Sequence, residues 1–426
     1  MPTAPTLLSE FTQARFGLFV HYGLYSLLGR GEWVRNRQAM GRDEYAALAN
    51  QFTAPQFDAN ELCDLALAAG MRYIVMTTMH HDGFRLYDTQ LSDFSTAATA
   101  AGRDLIQELV TATRAKGLKL GLYHSLNNWH DQPDAVAALE DPAACETFIS
   151  RTHKRIQELV TRYNPIDILW YDGWWPLDAK GWRAPQMNEM VRAIQPHILF
   201  NGRNGLPGDF ATPEQHATYP KPWRPWEACI TLNNSWGFHA GDHDWKSPRQ
   251  VIDLLATIAN GKGNLLLNVG LRGDGSVPPE AAAILKQVGD WIARCGECVF
   301  DTDLFTFDLQ QRGEHRSDWC HHGPFTARGN SLYLLLPRWP GQELTIGGVK
   351  CAVNGAKLLP NHNKLTVRQE QDRVTVIGLP VQPPDPICPV IRFDCDRPPM
   401  LYLTGGMREP AAPHPHYDPC PSDMVH

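Results

Sequence analysis

Short apolar runs and stretches of helical periodicity alternate along the chain up to about residue 300. Gly17–Val20, Tyr73–Met76, Lys119–Tyr123, Asp167–Tyr171, Ile198–Phe200, Ala228–Leu232 and Asn264–Val269 read as strands. The helices between them carry their own punctuation. Arg103–Lys116 sets Leu105, Ile106, Leu109 and Val110 on one face and stops at Gly117. Ile156, Leu159, Val160 and Tyr163 form a second apolar face, ended by Asn164-Pro165. Ser247-Pro248 supplies an N-cap with Pro at the first helical position, Val251, Leu254, Leu255 and Ile258 follow at helical spacing, and Asn260-Gly261 closes the segment. Alternation of this kind predicts an α/β architecture, a (β/α)8-like (TIM-type) barrel of regular or irregular form over residues 1–300. A doubly wound sheet fits less well, because no GxGxxG turn follows any of these strands.

From residue 301 the pattern changes. Leu332–Leu336, Leu344–Ile346, Leu365–Val367 and Val374–Ile377 are short β-like runs separated by Gly, Pro and Asn turns, with no amphipathic helix among them. They predict a C-terminal antiparallel β-sandwich over 301–405, followed by a Pro-rich flexible tail over 406–426. His414 and His416 in that tail are expected to be solvated rather than metal-bound.

Composition narrows the function classes. The 426 residues are 43% hydrophobic and 20% charged, which supplies a sizeable core and excludes wholesale disorder. With 39 basic and 46 acidic residues the net charge is -7, unlike a nucleic-acid surface. No apolar run approaches the roughly 20 residues needed to cross a bilayer, so no membrane partner is expected. The opening Met1-Pro2-Thr3-Ala4-Pro5 has neither a basic nor an apolar export region. The chain as written is therefore expected in the cytoplasm, or outside it if a leader has been trimmed. Ten Cys are scattered, and the one close pair, Cys295 and Cys298, lacks the second pair of a tetrahedral zinc site, so free buried thiols are expected. The 13 Trp, 12 Tyr, 16 Phe and 17 His would suit a sugar ring, although a large core also uses aromatic residues.

In a parallel barrel the reactive groups gather at the carboxyl ends of the strands. Those ends read His21-Tyr22-Gly23, His80-His81-Asp82-Gly83, Tyr123-His124-Ser125, Trp170-Tyr171-Asp172-Gly173-Trp174-Trp175, Asn201-Gly202-Arg203 and Asn233-Asn234-Ser235-Trp236-Gly237. Strand alternation puts Asp172 on the same side as Trp170, where a partly dehydrated carboxylate could attack an anomeric carbon. An Asp-Gly pair also caps turns, and the residues alone leave both readings open. A glycosidase needs a second carboxyl group, and Asp209, Glu214 and Glu227 all qualify by position. His80 and His81 are adjacent and lack His-x-His spacing, so they are expected to bind hydroxyls rather than a metal. Arg203 is expected to face the pocket. Glu32-Trp33, in a loop after the first strand, shows no chemistry on its own.

Taken in order, these segments resemble glycoside hydrolase family 29, the retaining α-L-fucosidases. The likeness begins at Phe16-Gly17-Leu18-Phe19-Val20-His21-Tyr22-Gly23 and runs through Glu32-Trp33, His80-His81-Asp82-Gly83-Phe84, Gly121-Leu122-Tyr123-His124-Ser125 and Trp170-Tyr171-Asp172-Gly173. It continues through Thr212-Pro213-Glu214, Trp226-Glu227-Ala228-Cys229, Ser235-Trp236-Gly237 and Gly263-Asn264-Leu265-Leu266-Leu267-Asn268-Val269-Gly270. The resemblance implies release of terminal α-L-fucose from a fucosylated glycan by double displacement, with no cofactor and no metal. It implies Asp172 as nucleophile and Glu214 as acid/base, with Glu227 in reserve. It also implies sugar contacts at His21, Glu32, Trp33, His80, His81, Tyr123, Trp170, Arg203 and Trp236. Tyr22 stands where the family usually has Trp and is expected to reshape the pocket wall, and Asn201-Gly202-Arg203 replaces the more usual Asn-Asp-Arg. The alternatives are an α-L-galactosidase on the same scaffold or a catalytically inactive sugar-binding relative. Linkage preference and oligomeric state are not encoded in any of these motifs.

Overall fold

A computed structural model describes residues 4–131, 138, 140–305 and 322–401. The tail over 406–426, with His414 and His416, lies outside the described residues. The chain divides into two compact units, one of Met1–Gln215, Cys229–Trp245 and Leu266–Lys286, the other of His216–Ala228, Lys246–Leu265 and Gln287–His426.

All seven expected barrel strands form. They are β1 (Phe16–His21), β2 (Tyr73–Met79), β3 (Lys119–Ser125), β4 (Ile168–Asp172), β5 (Leu199–Phe200), β6 (Glu227–Thr231) and β7 (Asn264–Gly270), in the order β5-β4-β3-β2-β1-β7-β6. The pairings from β1 to β5 are parallel. Between β5 and β6 the ring is completed by an irregular segment rather than a strand. Asp209 N–H donates to Phe200 O at 2.7 Å, Phe210 bridges Asn201, and Glu214 bridges Cys229. Pro213 lies within that segment and has no N–H to give a ladder, although its carbonyl accepts from Cys229 N–H at 3.1 Å. The Asp209 carboxylate pins the closure by accepting from Phe200 N–H and from Arg192.

Alternate residues of the strands fill the ring. Phe19, Tyr73, Val75, Tyr123, Ile168, Trp170, Phe210 and Leu266 belong to one buried cluster. A helix over Ala4–Ala14, which the sequence reading did not separate, adds Leu7, Phe11 and Ala14 to it from the N-terminal end of the strands. The three expected helices appear as Leu105–Lys116, Pro142–Arg162 and Pro248–Asn260. Ser247 caps the last reciprocally, its Oγ accepting from Gln250 N–H while its own N–H donates to Gln250 Oε1. Helices over Ala59–Ala68, Ala184–Ile194 and Pro279–Cys295 were not separated from the sequence.

The second unit carries β8 (Phe325–Arg328), β9 (Ser331–Leu335), β10 (Glu343–Ile346), β11 (Val353–Leu359), β12 (Asn363–Glu370), β13 (Arg373–Ile377) and β14 (Val390–Cys395). They bond antiparallel in the order β10-β13-β12-β11-β14-β9-β8, with β12 shared between the β10-β13 pairing and the β11-β14-β9-β8 pairing. One face supplies a core that includes Leu332, Leu334, Ile346, Val376, Ile391 and Phe393. The four expected runs fall in β9, β10, β12 and β13. The other strands, β8, β11 and β14, interleave polar and apolar residues, so none shows a contiguous apolar run. Eight described cysteines are free thiols, and seven of them, Cys295 and Cys298 included, are buried.

Candidate active site

The carboxyl ends of the strands open on a cavity of about 190 Å³. Asp172 ends β4, and the alternation Ile168, Trp170, Asp172 carries its carboxylate from the core face into this cavity. Gly173 follows with φ +66°, and a Cβ there would meet Ser125 Oγ at 2.7 Å and the His81 ring at 3.0 Å. The turn that releases the chain from Asp172 thus requires glycine.

Asp172 is 8% exposed. Burial alone would raise its pKa, but the charge of Arg203, then the neighbouring His81 imidazole, then hydrogen bonds from the Tyr123 hydroxyl and Gly173 N–H hold it below the ordinary 3.8. Arg203 Nη1 donates to Asp172 Oδ1 at 3.2 Å and Tyr123 OH donates to Oδ2 at 2.8 Å. The Tyr123 hydroxyl, its pKa pushed far up by burial and then by Asp172, keeps its proton to donate.

The same guanidinium holds a second carboxylate. Arg203 Nη2 lies 2.7 Å from Glu214 Oε2, and Glu214, with a side chain 44% exposed, stands at the cavity mouth. Thr212 fixes the guanidinium from its far side, accepting from Nε at 3.2 Å, and the Trp170 ring lies 4.8 Å from its carbon. The irregular closing segment therefore presents Glu214 to the cavity, whereas Asp209 is spent on the closure itself. Glu227, the reserve candidate, is fully buried at the start of β6 and does not line the cavity.

Imidazoles form much of the floor. His21, His80 and His81 all line it, the rings of His80 and His81 being 4.0 Å apart. Strand alternation would have separated these two, but β2 carries a register shift between Thr77 and Met79 and ends before His80, so both rings turn inward. His21 Nδ1 lies 2.6 Å from Asn268 Oδ1, and Asn268 Nδ2 donates to Trp236 O at 2.7 Å, which fixes Oδ1 as acceptor and Nδ1 as donor. By the same logic Ser125 Oγ donates to Asn127 O and so accepts from His81 Nδ1 at 2.6 Å. Each ring is left with an Nε2 that carries no hydrogen, that of His81 lying 3.8 Å from Asp172 Oδ2. Burial lowers both pKa values from 6.5 to about 4, so the rings are neutral acceptors suited to hydroxyl protons. His80 Nδ1 is buried with no partner, and burial lowers its pKa as well.

Glu32, Trp33 and Trp236 complete the wall. Glu32 Oε2 accepts from Gly237 N–H at 2.8 Å, and its pKa is raised by burial against that bond. All eleven site residues expected from the sequence therefore meet in one cavity. Tyr22 does not. It follows the inward His21 and faces away, donating to Gly273 O at 3.2 Å and stacking on Phe57 at 5.9 Å, so it is not part of the cavity lining. Trp174, Trp175 and Cys229 also line the cavity and were not singled out from the sequence, nor were Asn268 and Ser125, which set the two tautomers. A polar residue at a strand end was their signal, visible for Asn268 at the end of β7.

Among the described residues no group of three or more His, Cys, Asp or Glu is arranged to hold a metal ion, and no helix is long and apolar enough to cross a membrane.

A family model described as Alpha-L-fucosidase matches residues 3–297. The chain belongs to the alpha-L-fucosidase family. It is 28% identical over 412 residues to the tissue alpha-L-fucosidase of Macaca fascicularis, covering 89% of this chain and 86% of that one. The solved alpha-L-fucosidase isoenzyme 1 of Paenibacillus thiaminolyticus is 32% identical and superposes with a TM-score of 0.82 over 92% of this chain and 99% of its own. A second solved family member, a GH29 alpha-L-fucosidase of Bacteroides thetaiotaomicron trapped as a covalent intermediate with 2-fluoro-fucosyl fluoride, is 27% identical. Its TM-score is 0.80 over 91% of this chain and 96% of that chain.

Proposed function

We propose that this alpha-L-fucosidase, a retaining exo-glycosidase acting on fucose-containing glycans, uses Asp172 as nucleophile and Glu214 as acid and base. The observation that carries the assignment is the single guanidinium of Arg203 bonded to both carboxylates in one cavity. Asp172, kept ionised by Arg203 and Tyr123, attacks C1 of the fucosyl unit as Glu214 gives its proton to the departing glycosidic oxygen. The C1–oxygen bond breaks and an ester to Asp172 forms. Water then attacks C1, Glu214 takes its proton, and Asp172 leaves as carboxylate, so two inversions give net retention.

Glu214 exchanges its proton with solvent from its exposed position at the mouth. The Nε2 atoms of His21 and His81 accept from ring hydroxyls, and the His80 ring lies against theirs in the floor. Trp170 and Trp236 offer apolar faces for the ring carbons and the C6 methyl.

The decisive experiment is hydrolysis of an aryl α-L-fucoside by Asp172→Gly with and without azide. Turnover should fall on the order of 10⁴-fold, and azide should restore it by entering the vacated space and yielding the β-fucosyl azide. Unchanged turnover without azide would defeat the assignment. The same assay with an aryl α-L-galactoside measures the choice between the two sugars, which differ by one hydroxyl and which an apolar pocket separates by only about a hundredfold.

A further inference from the structure

Two aromatic side chains at the cavity mouth are left over by the chemistry above. Trp174 and Trp175 are 37% and 38% exposed, and among the large apolar side chains exposed in the described residues they alone are aromatic. A lone exposed leucine needs no explanation, but adjacent bare indoles beside a reactive carboxylate do. They follow Asp172 by way of the Gly173 turn, and both line the cavity.

Neither hangs loosely. Trp174 O accepts from the buried Trp182 Nε1 at 2.5 Å, and Trp175 O accepts from Asn127 Nδ2 at 3.3 Å. The two rings meet edge to face at 5.6 Å. Trp175 stands edge-on to His81 at 5.1 Å and lies nearly parallel to Trp33 at 6.2 Å, so its ring continues the inner wall outward. Trp175 packs against Trp33 and His81 as well as Trp174, whereas the Trp174 ring has Trp175 as its aromatic neighbour and keeps more of its face for a ligand.

We infer that Trp174, supported by Trp175, is the platform for the first sugar on the leaving-group side, binding a pyranose ring by its apolar C–H face. The inference rests on the reading of Asp172 and Glu214 given above. That reading puts the breaking bond at Glu214, in the mouth, so whatever the fucosyl unit is attached to must sit outside it. In the fucosyl-N-acetylglucosamine and fucosyl-galactose units of a glycan that group is a pyranose with an apolar C–H face. A pre-positioned indole meets such a face at little cost in side-chain freedom. The fucosyl unit itself is served by the buried floor, so Trp174 discriminates among leaving groups rather than among terminal sugars.

The test compares two substrates that share the fucosyl unit. One is α-L-fucosyl fluoride, whose leaving group is a single atom with no face to stack. The other is whichever fucosyl-N-acetylglucosamine or fucosyl-galactose disaccharide the unaltered protein cleaves best. In Trp174→Ala the ratio of kcat/KM for disaccharide to that for fluoride should fall about tenfold, mainly through KM. Trp174→Phe, which keeps an aromatic face, should restore most of the ratio. An unchanged ratio in Trp174→Ala, or a loss in Trp174→Phe as large as in Trp174→Ala, overturns the platform while leaving the catalytic assignment intact. Full activity of Asp172→Gly on the fluoride overturns the catalytic assignment, and the platform with it.

Discussion

In the parallel sheet, β1, β2, β4 and β6 are buried at every residue, whereas β12 of the antiparallel sheet exposes Asn363, Lys364, Thr366, Arg368 and Glu370. Where both faces are covered, a polar side chain within the strand needs a buried partner, as Thr77 and Thr78 have, and the polar groups free to meet a ligand gather at the strand ends. The ends of β1, β3, β4 and β7 accordingly carry His21, Ser125, Asp172 and Asn268, each hydrogen-bonded and each serving the cavity. Where one face meets solvent, polar residues are distributed along the strand, and none is forced into convergence. The antiparallel sheet thus reads as a hydrophobic core with a charged exterior. Clustered polar groups at buried strand ends mark chemistry; the same residue types spread along a half-exposed strand do not.

The contrast can be broken or sharpened by measurement. The largest effect expected at a strand-end group is the Asp172→Gly loss described above. Next is Glu214→Ala, which should cost about 10²- to 10⁴-fold in kcat/KM on a substrate with a poor leaving group. The cost should be much smaller on an aryl fucoside with a good one, because protonation of the leaving oxygen then matters less. Equal loss on both substrates would remove Glu214 from the acid role. In the antiparallel sheet Leu334→Ala, which empties a fully buried position, should lower unfolding stability by about 2–5 kcal/mol. KM of the folded fraction should stay the same, and a change in KM would show that this sheet shapes the sugar site after all.

The smallest effect concerns pH. His21 and His81 have pKa values lowered by burial from 6.5 to about 4, so the unfolded chain binds their protons more readily than the folded one. Their contribution to stability is complete above about pH 6.5 and is lost as pH falls towards about 4. Denaturant midpoints should decline across that window, and more steeply in the unaltered protein than in His81→Gln. Identical pH profiles would show that the buried ring does not control it.

Much of this was legible in advance, for a physical reason. Apolar runs identified all seven barrel strands, because burial on both faces leaves a contiguous hydrophobic signature. The same logic failed for β8, β11 and β14, where a half-buried strand interleaves polar residues and resembles loop. It also passed over the Ala4–Ala14 helix, whose Leu7 and Phe11 gain their meaning from the barrel core they enter.

Residue identity by itself determined the succession of barrel strands, the polar strand ends and the side of β4 on which Asp172 stands, since alternation along one strand is local and fixes which way a side chain faces. Tertiary structure decided the rest. It brought Glu214, and not Asp209 or Glu227, to the cavity, because an irregular closing segment and a single shared guanidinium set which carboxylate faces it. It turned His80 and His81 inward together through a register shift, and it turned Tyr22 away. Such outcomes depend on contacts between residues far apart along the chain, which local spacing does not carry.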